Sequence, residues 1–405
     1  MGVSELRMNW EPVALTDVES SSNRDALVYL DHAATTPMRQ VAVEAMLPFL
    51  TDRFANPSGA HRFARDARRA VDDARDQIAA VIGCGPGDVV FTSGGTESGN
   101  AAIAGAVWRR GGRAVCSAAE HHAVLNVVER HDGTIVPVDR LGRIDVEGLS
   151  GVLGDDVAVV SAMAVNNEVG TITDVAAVSA VVRQFAPRAL VHTDAVQAAA
   201  WLDLREIWPH VDLLSLSAHK FGGPKGVGVL AIRSGVDIDP LIVGGGQERD
   251  RRSGTHNVAG IVAAAAALAA ADSGRADEVV RVGSLRDRLV NGVSVDVVGA
   301  HETVPVAAKT AGSAHLMFEG VESEALLFML DEAGVCASAA SACASGAMER
   351  SHVLAAMGVA PELAAGALRL TLGHSTTDAE VDRAVEVLVD SIATLRRRTS
   401  RVVMS

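Results

Sequence analysis

Seven short runs rich in β-branched and other apolar residues, with helical patterns lying between them, constrain the fold of this chain most. They cover residues 88–92, 113–116, 134–138, 157–162, 190–193, 213–217 and 228–232. Stretches such as 98–108, 123–130 and 175–185 have helical character. Strands alternating with helices in this way predict an α/β domain built on a mainly parallel sheet. In such sheets ligands bind beyond the carboxyl ends of the strands. A site should therefore show itself as unusual residues collecting at those ends.

They do collect there. Run 88–92 leads into Ser93-Gly94-Gly95-Thr96-Glu97-Ser98, and run 157–162 is followed by Asn166-Asn167-Glu168. Run 190–193 ends on Asp194, and run 213–217 on His219-Lys220. One polar residue at a strand end would mean little. Four such ends in a single sheet argue for one shared site.

Beyond about residue 275 the pattern changes to amphipathic helices (281–291, 322–333, 378–399) with few strands, which predicts a smaller α+β unit. The expected division is 41–275 for a large domain and 276–405 for a small one, with residues 1–40 contributing to the latter. No repeat of 20 to 50 residues interrupts this order. The most apolar stretch, 258–271, is mostly Ala and reads as a buried helix of 14 residues, too short to span a bilayer. The polar, acidic N-terminus lacks the basic and apolar regions of a secretory signal.

A net charge of −14 speaks against direct nucleic-acid binding and against an anionic membrane surface. Four cysteines (84, 116, 336 and 343), none in a C-x-x-C pair, suggest reduced thiols in the cytoplasm. They show no zinc-ligand spacing, and no metal is expected.

Several of the strand-end residues suit specific chemistry. Two glycines and Thr96 at a helix start offer close backbone approach, a hydroxyl and free N–H groups, as a phosphate needs. The same residues also read as an ordinary capped turn. Lys220, after a buried strand and before Gly222-Gly223, stands where desolvation would make its amine nucleophilic, as a Schiff-base lysine requires. Lysine occurs only at 220, 225 and 309 among 36 basic residues, which sharpens that reading. Asp194 could pair with a protonated pyridine nitrogen, or cap a helix. Glu120-His121-His122 brings imidazoles to the same sheet edge. Cys343 sits in a run of small residues, 338–346, that reads as a mobile loop. Cys84, Cys116 and Cys336 read better as buried small hydrophobes.

Taken in order, these segments resemble one family. Tyr29 to Pro37, Ser93 to Ser98, Asn166 to Gly170, Ser217-Ala218-His219-Lys220, Gly244 to Arg249, Arg252 to Thr255 and Ser341-Ala342-Cys343 are similar to the group I cysteine desulfurases. The likeness is collinear from about residue 28 to 390. It implies a fold-type I enzyme dependent on pyridoxal 5′-phosphate (PLP), a homodimer, with L-cysteine as substrate. In the roles this resemblance implies, Lys220 holds PLP, Asp194 pairs with the pyridine nitrogen and His121 stacks on the ring. Asn167 and Gln197 bond near the ring oxygen, while Gly95, Thr96, Ser217 and His219 surround the phosphate. Thr255 completes that cup from the other subunit. Arg369 binds the substrate carboxylate with Asn56 beside it, and Cys343 takes the sulfur as a persulfide, giving alanine. His121 is a candidate to receive the thiol proton of Cys343.

The sequence departs from the family where sulfur is delivered. Ala339-Ala340 stand where many relatives have Gly-Ser or Thr-Gly, and Arg350 where Pro is common. The spacing from Cys343 to Ser351-His352-Val353-Leu354 resembles the long-loop group I form. Selenocysteine lyases and class V aminotransferases share the fold, but an aminotransferase has no use for a loop thiol. The resemblance leaves the acceptor open between iron–sulfur scaffolds, thiolation of tRNA or cofactors, and DNA sulfur modification. The acidic charge favours a sulfur-acceptor protein.

Overall fold

The computed structural model describes residues 27–339 and 350–403, with side chains up to residue 398. Cys343 and the rest of 340–349 lie outside the described residues, as do residues 1–26.

In chain order the first part comprises strand β1 (Val28–Tyr29), helices α1 (Gln40–Leu50) and α2 (Arg62–Ile82), β2 (Val89–Thr92), α3 (Gly95–Arg110), β3 (Arg113–Ser117) and α4 (His122–Arg130). It continues through β4 (Thr134–Val136), α5 (Val146–Val152), β5 (Val157–Ser161), α6 (Val175–Phe185), β6 (Leu190–Asp194), α7 (Leu204–Ile207), β7 (Leu213–Ser217) and β8 (Gly228–Ile232). The remainder is α8 (Val258–Asp296), β9 (Ala300–Glu302), β10 (Ser313–Phe318), α9 (Ser323–Glu332), β11 (Val335–Cys336), α10 (His352–Ala356), α11 (Pro361–Ala364), β12 (Ala367–Thr371) and α12 (Asp378–Val403).

The seven runs predicted from the sequence form one sheet in the order β2-β8-β7-β6-β5-β3-β4. β7, β6, β5, β3 and β4 pair in parallel, and β8 pairs antiparallel with both β7 and β2, so β8 alone runs against the other six. Every residue of β2, β5, β6, β7 and β8 is buried. Burial on both faces is why these strands read as continuous apolar runs, without an in–out alternation. The carboxyl ends of the six like-directed strands open on one edge.

Helices cover the faces because their apolar residues recur at helical spacing. In α2 the stripe Ala64, Ala67, Val71, Ala74, Ile78 and Ile82 is buried. Gly83 ends that helix in the left-handed conformation (φ 83°), which glycine adopts without steric cost.

A second core gathers Val28 and Leu30 with Leu316, Phe318, Leu326, Leu330, Leu368, Leu370 and Leu388. It surrounds a three-stranded sheet of order β12-β10-β9 and a parallel β1–β11 pair. The chain start is thus packed against elements from its far end.

The helix expected over 14 residues at 258–271 is 39 residues long. Ser273-Gly274 does not break it, since one glycine costs a helix only about 1 kcal/mol and no proline follows. Residue 275 falls within α8, whose early residues Ala263, Ala264, Ala265, Ala267 and Leu268 join the large-sheet core while Val282, Leu285 and Leu289 join the second. By length and composition α8 could cross a membrane, but Val258, Ile261, Leu268, Val282, Leu285, Leu289 and Val293 along it are buried in these two cores.

One ionic cluster pins the loop after β8. Glu248 (7% exposed) accepts from Arg75 Nη2 at 2.6 Å and Nη1 at 2.8 Å, and from the Phe91 N–H at 3.1 Å, and it meets His256 Nε2 at 2.7 Å. These partners hold its carboxyl down at about 2 despite burial. Glu248, Arg249 and Asp250 all have positive φ, a strained run that persists only where surrounding contacts fix it.

Candidate active site

The shared strand edge holds most of the residues the sequence singled out. The first is the β2–α3 turn, where Gly94 precedes a helix whose first N–H groups lack intrahelical acceptors. A Cβ on Gly95 would lie 2.7 Å from Val196 Cγ2 and 3.4 Å from Ser217 Cβ. The turn is pressed against the ends of β6 and β7, and only glycine leaves backbone open there. Thr96 is exposed at this turn and Ser217 is buried behind it. A helix N-terminus flanked by two hydroxyls fits a phosphate.

Asp194 ends β6, 8% exposed, and accepts from the Val196 N–H at 2.9 Å. Burial pushes its carboxyl up to about 6, against the pull of Lys220. Lys220 lies just past β7 on a short turn whose chain reverses through Gly222 (φ 90°). Its Nζ donates to the carbonyls of Ala33 at 2.5 Å and Ala34 at 2.8 Å. Burial and the nearby Arg369 lower its pKa to about 8, partly offset by Asp194 and Asp31. A desolvated amine of this kind is a usable nucleophile near neutral pH.

Gln197 donates to the same Ala33 carbonyl at 2.8 Å. His219 faces Thr35 Oγ1 at 3.2 Å. His121 caps α4, its Nδ1 accepting from the Ala123 N–H at 3.1 Å. That bond leaves the proton of the neutral ring on Nε2. Partial enclosure, together with Lys220, His122 and His352, depresses this imidazole to about 4, so the ring is neutral at pH 7.

Arg369, on β12, reaches the site from the second core. Its Nη2 donates to Asp31 Oδ1 at 2.8 Å and its Nη1 to the Asn167 carbonyl at 3.0 Å, while Nε is buried with no partner among the described residues. Lys220, Asn167 and Gln197 line one cavity together with His32, Arg39 and His374.

Asn56 is exposed on the α1–α2 loop and accepts from Ser58 N–H at 3.0 Å. Thr255 is exposed and lines a separate cavity with Ser93 and Arg252. Cys343 falls outside the described residues.

Sequence reasoning assigned no role to the 31–36 segment, although Tyr29 to Pro37 belonged to the resemblance. It crosses the site. Asp31 pairs with Arg369, Ala33 accepts from Lys220 and Gln197, Thr35 meets His219, and the Thr36 N–H donates to the His219 carbonyl at 3.1 Å. The available signal was a polar run immediately after a buried strand at the chain start. Two fully enclosed acids were also missed. Glu120 accepts from the Met163 N–H at 2.6 Å, its other oxygen having no partner among the described residues, and Glu168 accepts from Ser351 Oγ.

The class-V aminotransferase family matches residues 28–384. A cysteine desulfurase IscS from Dictyoglomus turgidum is 42% identical over 377 residues, covering 91% of this chain and 95% of that one. Among solved structures, a NifS-like protein superposes with a TM-score of 0.85 at 35% identity, covering 91% of this chain and 100% of that one. A structure titled SspA in complex with cysteine has a TM-score of 0.73 at 30% identity, covering 85% and 98%.

Proposed function

Because the chain belongs to the class-V aminotransferase family, and within it is a PLP-dependent cysteine desulfurase, we propose that Lys220 is the residue that carries the cofactor and Cys343 the one that receives the sulfur. The observation that carries this reading is the desolvated Lys220 amine, which sits with Asp194 at the carboxyl edge of the large sheet and is met there by Arg369 from β12 and Asp31 from the segment after β1. When bound, PLP supplies an electron sink for the substrate's Cα.

The remaining work falls to this chain. The α3 N-terminus with Gly95, Thr96, Ser217 and His219 holds the phosphate. Asp194 would pair with the ring nitrogen, His121 would stack on the ring, and Asn167 and Gln197 would bond near the ring oxygen. Arg369 binds the substrate carboxylate as a planar fork, with Asn56 beside it. Lys220 Nζ, once free, takes the proton from substrate Cα and returns it. The Cys343 thiolate attacks the substrate sulfur, so an S–S bond forms as the C–S bond breaks. The bonding pair stays with carbon, which is protonated to alanine.

Elimination supports Cys343. Burial pushes the Cys84 thiol up to about 12 and holds Cys116 and Cys336 above the usual thiol range. A raised pKa disfavours the thiolate at each of these three. All three are free thiols, which suits the cytoplasm. The persulfide passes to an acceptor protein, in keeping with the acidic charge. The exposed residues Leu241, Ile242 and Val243 precede Thr255. They support a homodimer in which Thr255 serves the phosphate of a second copy. The separate hydrophobic cores at the seven-stranded and the three-stranded sheet support a large and a small domain.

Lys220→Ala should abolish cofactor absorbance and alanine production, whereas Cys343→Ser should keep the absorbance and lose desulfuration. Full alanine production from cysteine by Cys343→Ser would refute transfer through this thiol.

A further inference from the structure

The segment carrying Cys343 leaves the described structure at one place and returns at another, and both feet are tied close to Arg369. At the departing foot, Ser338 pairs with Arg369 through two backbone hydrogen bonds. The Arg369 N–H donates to the Ser338 carbonyl at 2.7 Å and the Ser338 N–H to the Arg369 carbonyl at 3.2 Å. At the returning foot, Ser351 Oγ donates to Glu168 Oε1 and accepts from the Leu354 N–H at 3.0 Å, starting α10. The next residue, His352, meets the Glu120 carbonyl at 3.0 Å through Nε2 and packs on His122 with ring centroids 4.5 Å apart. Within two residues of re-entry the chain is thus fastened to both loops that bring His121 and Asn167 to the site.

Glu168 is the middle of this junction. It is 3% exposed, and its own N–H is fixed by Asn166 Oδ1 at 2.9 Å. Asn167, its neighbour, accepts from Arg369, and the Arg369 charge reaches the Glu168 carboxyl. A buried carboxyl whose stated partner is a hydroxyl at the end of another segment is costly unless that bond is kept. Burial drives this carboxyl up to about 7, the Ser351 bond and Arg369 opposing.

We infer that Glu168 is a positioning residue whose bond to Ser351 fastens the returning foot of the Cys343 segment to the loop that holds the substrate-binding arginine. The clasp aligns sulfur transfer and leaves substrate binding at the cofactor untouched. The inference rests on the assignment of Cys343 as sulfur acceptor.

The test uses the PLP-loaded full-length enzyme and two readouts. Substrate docking is followed as the cofactor absorbance change on adding L-cysteine. Sulfur transfer is followed in a single turnover by alkylation and mass analysis of the Cys343 persulfide. Ser351→Ala should slow persulfide formation about tenfold, as expected for one hydrogen bond to a buried acid, with the absorbance change intact. Ser351→Thr should restore the rate. Glu168→Ala should slow it similarly, and the double variant should fall no further than Glu168→Ala alone, since coupled partners are not additive. An unchanged persulfide rate in Ser351→Ala, an equal loss in both readouts, or additive effects in the double variant would each overturn the clasp. Cys343→Ser is run alongside. Desulfuration surviving in that variant would remove the underlying assignment and is distinguishable from failure of the clasp.

Discussion

Arg369 is gripped by Asp31 through a 2.8 Å ion pair, although 338 residues separate them. The two side chains are 7% and 21% exposed, so the guanidinium is turned by a largely buried partner. Each of its two Nη groups uses one N–H in these bonds and carries a second. A buried cation oriented by one carboxylate, with donors to spare, is ready for a second carboxylate at little reorganisation cost.

Arg369→Lys keeps the charge but loses the fork geometry. The KM for cysteine should rise roughly tenfold or more, since Lys cannot make a bidentate contact, with cofactor absorbance retained. Steady-state alanine production against cysteine concentration measures it. An unchanged KM would show that Arg369 does not bind the substrate carboxylate.

The sheet was legible because strands buried on both faces do not alternate. Runs such as 213–217 and 228–232 coincide with β7 and β8, and the polar residues that interrupt apolar runs mark the ligand edge. Asp194 and Lys220 could be read for the same reason. What could not be read depends on contacts between distant segments. Nothing local in Asp31 tells of Arg369, and nothing in Glu168 tells of Ser351, 183 residues away. Glu120 and Glu168 look like surface acids in sequence, and only the fold buries them. The length of α8 was missed because the apolar stretch ends at Ala271, while the helix runs on through the polar residues from Asp272 onward.

Lys220, with its pKa near 8, gives a pH test. Only the neutral amine attacks an aldehyde. In enzyme stripped of PLP, the rate of cofactor reincorporation should rise about tenfold per pH unit below about pH 8 and level off above it. Stopped-flow absorbance across pH 6 to 9, in roughly half-unit steps, reads this directly. A rate still climbing steeply at the alkaline limit would mean that burial does not depress this amine.

Glu248 should be worth more to stability than to chemistry. Glu248→Ala leaves Arg75, 11% exposed, without its partner, a situation that costs roughly 3–5 kcal/mol. It also releases the positive-φ run at 248–250 that leads towards Thr255. Urea unfolding should show the midpoint falling by that equivalent. A loss below about 1 kcal/mol would place this cluster with weak surface pairs.

His192 supplies a stability effect that depends on pH. The ring is completely buried between Ser161 Oγ and Ser215 Oγ, each 2.8 Å from a ring nitrogen, and burial lowers it to about 3. The unfolded chain takes up this proton near pH 6.5 while the native ring refuses it until about 3. Stability is therefore lost as pH falls through that window, by up to about 1.4 kcal/mol per pH unit for this one group. Glu168, held near 7, acts in the opposite sense, so wild-type stability alone does not isolate the histidine. The difference between wild type and His192→Asn does. His192→Asn should be less stable at pH 7 because two buried hydroxyls lose their partner, yet its deficit should shrink steadily as the pH is lowered from about 6.5 to 4.5. Chemical denaturation at a series of pH values measures that deficit, and one that stays constant would mean the native ring takes its proton as readily as the unfolded chain.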